Sequence, residues 1–376
     1  MAELAIRPRN QLSIRKLQAR LQQKTMRFRS HALSRLKTLA LAKLQRRLRP
    51  DRAYTFPGRV YIDVVNSCNS NCQLCPTGIG YAHPLGVMPF DAFRSFIDRV
   101  APQVWFIGLH SWGEPTLHPD IVRMVEYCSS RAIMTSLSSN IHVYNQEVYE
   151  GLFEAGLSHL SMSLHGLSQE SYEAYRPGMR FEPNRHNVQQ ISELRERLGA
   201  YGTSLDMVFA ITAFNEHEVP LLEEFCNKYG LDSFVAYRAS YNVRFLVKDV
   251  DMNDLHLQRH ELEKRVRAHL DKWMAKDSRF VMPRYYQIYK DPQSMLSNKL
   301  TDDCRDPWTV MYVNYRGDVS PCCGSYDYEA DSLGNVFADD VLEIWNGRKY
   351  VDSRRRLTGK SHGTDNLCAS CPGALY

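Results

Sequence analysis

The feature that most constrains this chain is a regular alternation of strand-like and helix-like segments that begins near residue 59. Apolar, β-branched runs that fit strands occur at Val60–Val65, Val104–His110, Ile133–Ser139, His159–Gly166, Ser204–Thr212 and Ser233–Tyr237. Between them lie amphipathic helical segments at Pro89–Val100, Asp120–Ser129, Gln146–Ala155, Asn187–Leu198 and Val219–Tyr229. Six strands alternating with helices predict a parallel sheet with right-handed crossovers. We therefore expect an α/β fold, a partial (β/α)6 TIM-like barrel with its chemistry at the carboxyl ends of the strands.

The chain of 376 residues is long for one domain, which leaves room for further parts around the barrel. We assign residues 1–50 to a basic helical leader and 51–240 to the barrel. Residues 241–300 form a bridging segment with a charged helix, and residues 301–376 form a small C-terminal iron–sulfur domain.

The leader differs sharply in charge from the rest of the chain. Residues 1–50 contain 14 Lys and Arg against one acid, Glu3, so they carry +13 of a chain total of +5. Apolar residues recur in it at helical spacing, at Leu33, Leu36, Ala40, Leu41, Leu44 and Leu48. The pattern predicts a basic amphipathic helix. It either packs on the main domain as a solvated helix, or brings residues 30–49 to an anionic membrane surface or an acidic partner.

The cysteines indicate metal ligation rather than disulfides. No apolar stretch approaches the roughly 20 residues that span a bilayer, and the N-terminus lacks the apolar core of a secretory signal. We therefore expect a cytoplasmic protein, peripheral to the membrane if the leader binds lipid. Ten cysteines that cluster along a chain in a reducing compartment point to metal sites.

The first cysteine group directly follows the first predicted strand. Cys68, Cys72 and Cys75 lie within eight residues of one loop. Cysteine thiolates are the normal ligands of iron–sulfur clusters, and three of them leave one iron of a 4Fe–4S cube open for another ligand. The alternative is zinc, but structural zinc is usually four-coordinate and no fourth ligand of suitable spacing lies nearby.

This loop resembles the hallmark of the radical S-adenosylmethionine (SAM) superfamily, Cys-x3-Cys-x2-Cys after the first barrel strand. The resemblance implies that the open iron chelates the amino and carboxylate groups of SAM. It further implies that an electron from a reduced flavodoxin or ferredoxin cleaves SAM to methionine and a 5′-deoxyadenosyl radical. Leu74 departs from the family pattern, because relatives usually carry an aromatic residue just before the third cysteine.

A second family motif ends the second strand. Ser111-Trp112-Gly113-Glu114-Pro115 resembles the Gly-Gly-Glu-Pro motif that receives the amino group of SAM, with Trp112 in place of the first glycine. The resemblance therefore makes Trp112, Gly113, Glu114 and Pro115 candidate cofactor-binding residues. The resemblance to the radical SAM superfamily covers roughly residues 59–240.

Candidate SAM contacts also follow the third and fourth strands. The resemblance implies that Ser138 and Asn140 lie where relatives hold the ribose hydroxyls. It implies that Ser163 and Arg176 hold the SAM carboxylate, a role that suits the bidentate guanidinium of arginine. His165 stands where many relatives have aspartate, and whether it contacts substrate or only fills space stays open.

The second cysteine group lies in the last quarter of the chain. Cys304, Cys322, Cys368 and Cys371 complete a tetrathiolate set, which on spacing alone fits a zinc ribbon as well as an iron–sulfur cluster. Cys323 is left over beside Cys322, as a spare thiol or, less favoured, as a ligand or hydrogen donor.

The sequence around this second group resembles the SPASM or shorter "twitch" extension of radical SAM enzymes. The similar segments are Tyr315–Cys323, Leu333–Val336 and Val341–Asn346. The resemblance implies one auxiliary 4Fe–4S cluster held by Cys304, Cys322, Cys368 and Cys371. Together with the SAM-binding cluster this makes two 4Fe–4S clusters per chain.

The reaction implied by these parts is hydrogen abstraction from a substrate C–H bond. Our first interpretation is oxidation or epimerisation at a carbinol carbon of a sugar or aminocyclitol-type small molecule, and the runner-up is modification of a peptide. Oxidation is preferred because an auxiliary cluster with four protein ligands suits electron transfer. Among the spare thiols, Cys128 and Cys226 lie on predicted outer helices, where buried cysteines behave as small apolar residues, so Cys323 is the candidate donor for epimerisation.

An interpretation of another class is a non-catalytic protein that binds nucleic acid. It would use the basic leader for phosphates and the cysteines as zinc sites. We do not favour a nucleic-acid partner, because the ordered motifs at successive strand ends need an enzyme to explain them.

Overall fold

The computed structural model describes residues 31–72, 75, 77–78, 84–211, 215–238, 304–325, 331–360 and 368. The predicted bridging segment at 241–300, residues 1–30 of the leader and Cys371 lie outside these ranges.

The strands form one extended sheet in which the predicted barrel strands lie in chain order. They are β1 (Arg59–Ile62), β2 (Phe106–Gly108), β3 (Met134–Ser139), β4 (His159–Ser163), β5 (Ser204–Ile211), β6 (Ser233–Arg238), β7 (Val310–Val313) and β8 (Val319–Ser320). The order across the sheet is β6-β5-β4-β3-β2-β1-β7-β8. All neighbours pair in parallel except β7 with β8. The order ends at β6 on one side and β8 on the other, which confirms the partial barrel.

The helices of the described residues connect and flank these strands. They are α1 (Ala32–Leu48), α2 (Phe90–Val100), α3 (Ile121–Ser130), α4 (Gln146–Glu154), α5 (Gln169–Tyr175), α6 (Phe181–Leu198), α7 (Leu222–Lys228), α8 (Asp306–Thr309), α9 (Val341–Trp345) and α10 (Arg348–Leu357). Short 3-10 helices span Pro115–Leu117 and Glu216–Leu221.

Two helices of the barrel differ most from the sequence prediction. The helix predicted from Asn187 begins at Phe181, because its first turns bury the amides of Asn184 and Asn187 instead of an apolar stripe. These amides donate to the backbone carbonyls of Asn140 and Ile141. Burial of polar side chains leaves no hydrophobic period for sequence analysis to detect. Helix α5 was also not predicted.

The two faces of the sheet have different partners, since successive side chains of a strand alternate between faces. On β1, Val60 and Ile62 are fully buried in the main hydrophobic core with the outer helices. Tyr61 points to the other face, where its ring stacks on Tyr312 at 5.4 Å and meets Phe106 edge-on at 5.9 Å. The inner face therefore carries aromatic and polar groups.

The C-terminal segment shares the sheet of the barrel. Strand β7 pairs with β1 along the whole of both strands, from Arg59↔Val310 to Ile62↔Val313. The indole N–H of the buried Trp308 donates to the carbonyl of Pro50 at 2.8 Å, and that of Trp345 donates to Thr55 at 2.9 Å. These contacts place the second cysteine group beside the barrel.

Candidate functional site

The first cysteine group lies on the loop that follows β1, as predicted. The loop turns so that the amide of Cys75 donates to the carbonyl of Cys72 at 3.2 Å. Burial raises the pKa of Cys68 to about 11, and burial together with the nearby Cys72 raises that of Cys75 to about 12. Thiols crowded in this way ionise only when a cation such as iron compensates their charge, because the thiolate is the metal-binding form. This donor set fits an iron–sulfur cluster.

Hydrogen-bond donors are directed at the sulfurs of this loop. The side-chain amide of Asn140 reaches the Cys68 Sγ at 3.5 Å. The Arg176 Nε donates to the Cys72 Sγ at 3.4 Å, and the Ser70 hydroxyl lies 3.3 Å from the same sulfur. Cluster thiolates are usually hydrogen-bonded, and these bonds help to set the reduction potential. The groups around the loop therefore also fit a bound cluster.

Behind Ser70 stands a histidine whose protonation is fixed by its neighbours. The amide nitrogen of Asn184 donates to the Asn140 carbonyl at 2.8 Å, which fixes its orientation, and it lies 3.1 Å from the His142 Nδ1. The Tyr172 hydroxyl lies 3.2 Å from the same nitrogen. His142 Nδ1 is therefore an acceptor, so its Nε2–H donates to the Ser70 Oγ at 3.2 Å. Burial and the charge of a neighbouring arginine lower the pKa of His142 to about 3, which keeps the ring neutral.

The motif after β2 packs directly against the start of the cysteine loop. The Asp63 carboxylate accepts hydrogen bonds from the amides of Trp112 and Gly113 at 3.2 and 3.3 Å. A Cβ on Gly113 would lie 1.7 Å from the carbonyl oxygen of Val65, so only glycine fits there. The Trp112 indole donates to the carbonyl of Ser325 at 3.0 Å and so joins this motif to the C-terminal segment.

Glu114 connects the ends of β2 and β3. Its Oε1 accepts from the amide and hydroxyl of Thr116 at 3.1 and 2.7 Å, and its Oε2 accepts from the amide of Asn140 at 2.7 Å. Burial raises the pKa of Glu114, and these hydrogen bonds oppose the shift. Pro115 is buried at the start of the following 3-10 helix. Protein donors occupy both carboxylate oxygens, so a direct contact of this side chain with SAM stays a prediction.

The candidate carboxylate-binding residues are brought together beside the cysteine loop. The hydroxyls of Ser138 and Ser163 lie 3.2 Å apart on neighbouring strands. The buried Arg176 donates through Nη1 to the Ser163 carbonyl at 2.7 Å and to the Tyr172 hydroxyl at 3.2 Å. Its Nη2 has no hydrogen-bond partner among the described residues. The site can therefore present a guanidinium N–H and the Ser163 hydroxyl to a carboxylate, with Ser138, predicted to lie near the ribose, beside them. Their contacts with SAM stay predictions.

His165 is built into the sheet. Its Nδ1 accepts a hydrogen bond from the Ala210 amide at 2.9 Å, and its ring lies 4.3 Å from that of Tyr175. Burial, and then the positive charge of Arg176, lower the pKa of His165 well below its usual value, so the ring is a neutral acceptor. In this arrangement His165 links β4 to β5.

A cavity separates the SAM motif from the second cysteine group. Its lining includes Tyr61, Asp63, Trp112, Tyr312, Cys322 and Cys323. Cys323 is half-buried, and burial and then Asp306 raise the pKa of its thiol above the ordinary range. The candidate hydrogen donor therefore lines the same cavity as Trp112.

The second cysteine group has apolar surroundings. Cys304 and Cys368 pack with Trp308 and Leu357 in a small hydrophobic cluster. Burial raises the pKa of Tyr350, and the nearby Cys368 and Cys322 raise it further. Three of the four predicted auxiliary ligands thus share one region, and the fourth, Cys371, is outside the described ranges. Within those ranges no three His, Cys, Asp or Glu side chains are placed to hold a single metal ion.

Cys128 and Cys226 are fully buried in the hydrophobic core, as predicted. Sequence analysis missed Asp63, Ser70 and His142. Two of them carried a positional signal, since Ser70 lies inside the cysteine motif and His142 closely follows Asn140. Asp63 lies within the predicted strand Val60–Val65, whereas in the structure it follows the end of β1.

Comparison with curated proteins finds relatives that align over most of the chain. It is 25% identical over 349 residues to an AdoMet-dependent heme synthase of Methanosarcina barkeri, covering 85% of this chain and 92% of the relative. It is 24% identical over 358 residues to a PqqA peptide cyclase of Methylorubrum populi, covering 86% of this chain and 88% of the relative.

Solved structures show the same fold. Streptococcus suis SuiB bound to SAM superimposes with a TM-score of 0.57 at 18% identity, over 84% of this chain and 71% of that one. SuiB bound to its precursor peptide SuiA superimposes with the same TM-score, at 19% identity over 90% of this chain and 73% of that one.

Two family matches favour the enzyme over the alternative of a non-catalytic, zinc-containing protein that binds nucleic acid. Residues 62–226 match the radical SAM superfamily, and residues 304–372 match SPASM, an iron–sulfur cluster-binding domain. Together they span well over half of the chain and include both cysteine groups. The chain therefore belongs to the radical SAM superfamily and carries a SPASM domain, with SAM and 4Fe–4S clusters as its cofactors.

Proposed function

We propose that this enzyme oxidises a hydroxyl-bearing carbon of a small polar substrate, of the sugar or aminocyclitol type, held in the cavity between the two cysteine groups. The observation that supports this proposal is the lining of that cavity. The lining contains both Trp112, from the SAM motif, and Cys322, a predicted ligand of the auxiliary cluster. A substrate bound there would lie between the source of the radical and an acceptor of electrons.

The cofactors and the protein have separate tasks in this proposal. When bound, SAM and the cluster of the Cys68 loop supply a 5′-deoxyadenosyl radical with an electron from a reduced flavodoxin or ferredoxin, and the auxiliary cluster supplies a one-electron acceptor. Cys68, Cys72 and Cys75 would hold the first cluster, and Cys304, Cys322, Cys368 and Cys371 the second.

The protein groups of the cavity suit a polar substrate. The stacked rings of Tyr61 and Tyr312 form an aromatic wall, while Asn314 and Ser320 add an amide and a hydroxyl to the lining. Asp63 is held by the amides of Trp112 and Gly113, next to the SAM motif. We assign it to bind the substrate hydroxyl and to accept its proton as the carbon is oxidised.

Epimerisation is the competing outcome at the same carbon. It requires a hydrogen atom to be returned to the opposite face, and the half-buried Cys323 thiol lines the cavity. Turnover in deuterated water separates the two outcomes. Oxidation yields a carbonyl product without solvent deuterium at that carbon. One deuterium fixed at an inverted carbon, and lost in Cys323→Ala, would establish epimerisation instead.

Peptide modification is the second candidate, and the relatives favour it. A PqqA peptide cyclase aligns over most of this chain, and SuiB, which shares the fold, has been solved with a precursor peptide. Release of 5′-deoxyadenosine should be measured with panels of polyols, aminocyclitols and peptides. We expect polyols or aminocyclitols to stimulate release, and Asp63→Asn to remove the stimulation while leaving slow uncoupled SAM cleavage. Stimulation by peptides alone would reject the small-molecule proposal.

A further inference from the structure

The leader helix α1 packs on the barrel through polar side chains. Arg35, Thr38 and Gln45 are its buried residues. The Arg35 guanidinium donates to the carbonyls of Ala101 at 2.9 Å, Arg131 at 3.0 Å and Ala132 at 2.6 Å. These carbonyls follow the last turns of α2 and α3, where helix C-termini leave acceptors unsatisfied and favour positive charge. A single arginine therefore caps two helices of the barrel.

A second polar contact fixes the other end of α1. The Gln45 side chain donates to the Trp308 carbonyl at 2.5 Å and accepts from the amides of Tyr54 and Thr55 at 2.9 and 3.2 Å. Arg49, just beyond the helix, donates to the carbonyl of Leu357 at 2.6 Å. The rotation of α1 about its axis is thus set by hydrogen bonds at both ends.

This rotation turns the leucines of α1 outward. Leu33 is 85% exposed, Leu36 48%, Leu44 44% and Leu48 56%. A helix that packs on a core buries its apolar stripe, so the arrangement here is the reverse of the usual one. Exposed basic residues share the outward face at Lys37, Lys43, Arg46 and Arg47, and residues 31–50 contain no acid. We call these four leucines and four basic residues the leucine–basic face.

We propose that the leucine–basic face binds the surface of an anionic lipid bilayer. Leucines flanked by lysine and arginine are the pattern of helices that lie in the membrane interface. Charge distinguishes lipid from two other possible occupants, which are the preceding segment of this chain and a second copy of the same face. Residues 1–30 carry eight basic residues against Glu3, a net +7, so they share the sign of this face. A second copy of the same face is repelled for the same reason, whereas anionic headgroups attract it.

The contacts of Arg35 also set the orientation of the bound enzyme. They are made to the segments that precede β2 and β3, at the amino ends of the strands, whereas the Cys68 loop follows the carboxyl end of β1. The SAM-binding edge therefore points away from the lipid surface, and substrate enters from the aqueous side. No helix of the described ranges is long and apolar enough to cross a bilayer, so the contact would be peripheral.

The test is sedimentation of the full-length protein with vesicles of phosphatidylglycerol and phosphatidylcholine, or of phosphatidylcholine alone. We expect binding to the anionic vesicles that weakens at least tenfold in high salt and at least tenfold in Leu36→Ser/Leu44→Ser. The matched control is Leu221→Ser/Leu342→Ser, which removes two leucines that are both 49% exposed elsewhere, and it should bind like the wild type. SAM cleavage should not change in either variant.

Two results would overturn the proposal. One is equal sedimentation of the wild type and Leu36→Ser/Leu44→Ser, or sedimentation of neither. The other is evidence that the leucine–basic face is already covered in the free protein, which either of two measurements could give. A lowered thermal unfolding midpoint in Leu36→Ser/Leu44→Ser would mean that another part of the chain covers it. A change from dimer to monomer, measured by analytical ultracentrifugation, would mean that a second copy does.

Discussion

The two cysteine groups of this enzyme lie in contrasting surroundings. The Cys68 loop is surrounded by polar side chains, and donors from Ser70, Asn140 and Arg176 approach its sulfurs. Cys304 and Cys368, in the SPASM domain, instead pack against Trp308 and Leu357. In our proposal the first group admits a polar cofactor at an open iron, whereas four protein ligands close the second.

The difference bears on the electronic properties of the two clusters. Hydrogen bonds to cluster sulfurs and exposure to solvent both change reduction potentials, since they stabilise the more negative, reduced state. The polar shell of the Cys68 loop offers many points at which the potential can be adjusted. The apolar shell of the SPASM group offers few such points. Substitutions in that shell should therefore act through loss of the cluster and not through a change of its reduction potential.

The largest effect is expected from removal of the first group. Cys68→Ala/Cys72→Ala/Cys75→Ala should abolish 5′-deoxyadenosine release and remove about half of the iron, since each 4Fe–4S cluster depends on its own thiolates. The measurements are product analysis and anaerobic iron and sulfide content. Cys128→Ala is the control, because this cysteine is buried in the core away from both groups. Continued release by the triple variant would show that the loop is not the SAM-binding site.

Loss of the second group should separate the two activities. Cys368→Ala/Cys371→Ala should remove the other half of the iron. It should retain SAM cleavage while losing oxidised product, because the acceptor of the substrate electron is gone. Loss of both activities in a protein that keeps the first cluster would contradict this division of roles. Electron paramagnetic resonance of the reduced variant identifies which cluster remains.

The sequence predicted the repeating part of the molecule well. The β-branched runs at Ser204–Thr212 and Ser233–Tyr237 became β5 and β6 almost residue for residue, because apolar and β-branched residues recur along them and one face of β5 is buried. Strand β7 was not predicted, although it completes the sheet beside β1. A short strand paired with a segment some 250 residues away leaves no local period to detect.

The same limit applies to the site. The cysteine motif was recognised from residue type and spacing, and Arg176 was proposed from the family resemblance. The orientation of α1 could not be found, since the amphipathic period fixes a stripe but not which side meets the protein. Hydrogen bonds of Arg35 to three backbone carbonyls decided it. Backbone acceptors carry no sequence signature, so contacts of this kind appear only in the structure.

A smaller effect is expected where the SAM motif touches the cysteine loop. Gly113→Ala would place a Cβ 1.7 Å from the Val65 carbonyl oxygen. We expect the free energy of unfolding to fall by about 2–3 kcal/mol, as for an overpacked core, and SAM binding to weaken as the loop shifts. Urea unfolding and equilibrium dialysis with SAM measure the two effects. Gly202→Ala is the matched control, since no atom lies within 4 Å of its Cβ position, and equal losses in both variants would disprove the packing argument.

The smallest effect concerns the hydrogen bond between Ser70 and Cys72. His142 donates to the Ser70 Oγ at 3.2 Å, so the serine hydroxyl is left to donate to the Cys72 Sγ at 3.3 Å. Ser70→Ala removes this donor. If the bond favours the reduced cluster by about 0.5–1 kcal/mol, a fraction of a charged hydrogen bond, the reduction potential should fall by about 20–40 mV, since 59 mV is a tenfold change for one electron.

A redox titration of the Cys68-loop cluster, followed by electron paramagnetic resonance, measures this shift without relying on turnover. Ser70→Thr keeps the hydroxyl and should hold the potential of the wild type. His217→Ala removes an exposed histidine elsewhere and should do the same. The titration is best made on Cys368→Ala/Cys371→Ala as background, so that one cluster gives the signal. A potential in Ser70→Ala equal to that in Ser70→Thr would show that the polar shell holds the loop in place without tuning its cluster, and the contrast between the two cysteine groups would then be one of access alone.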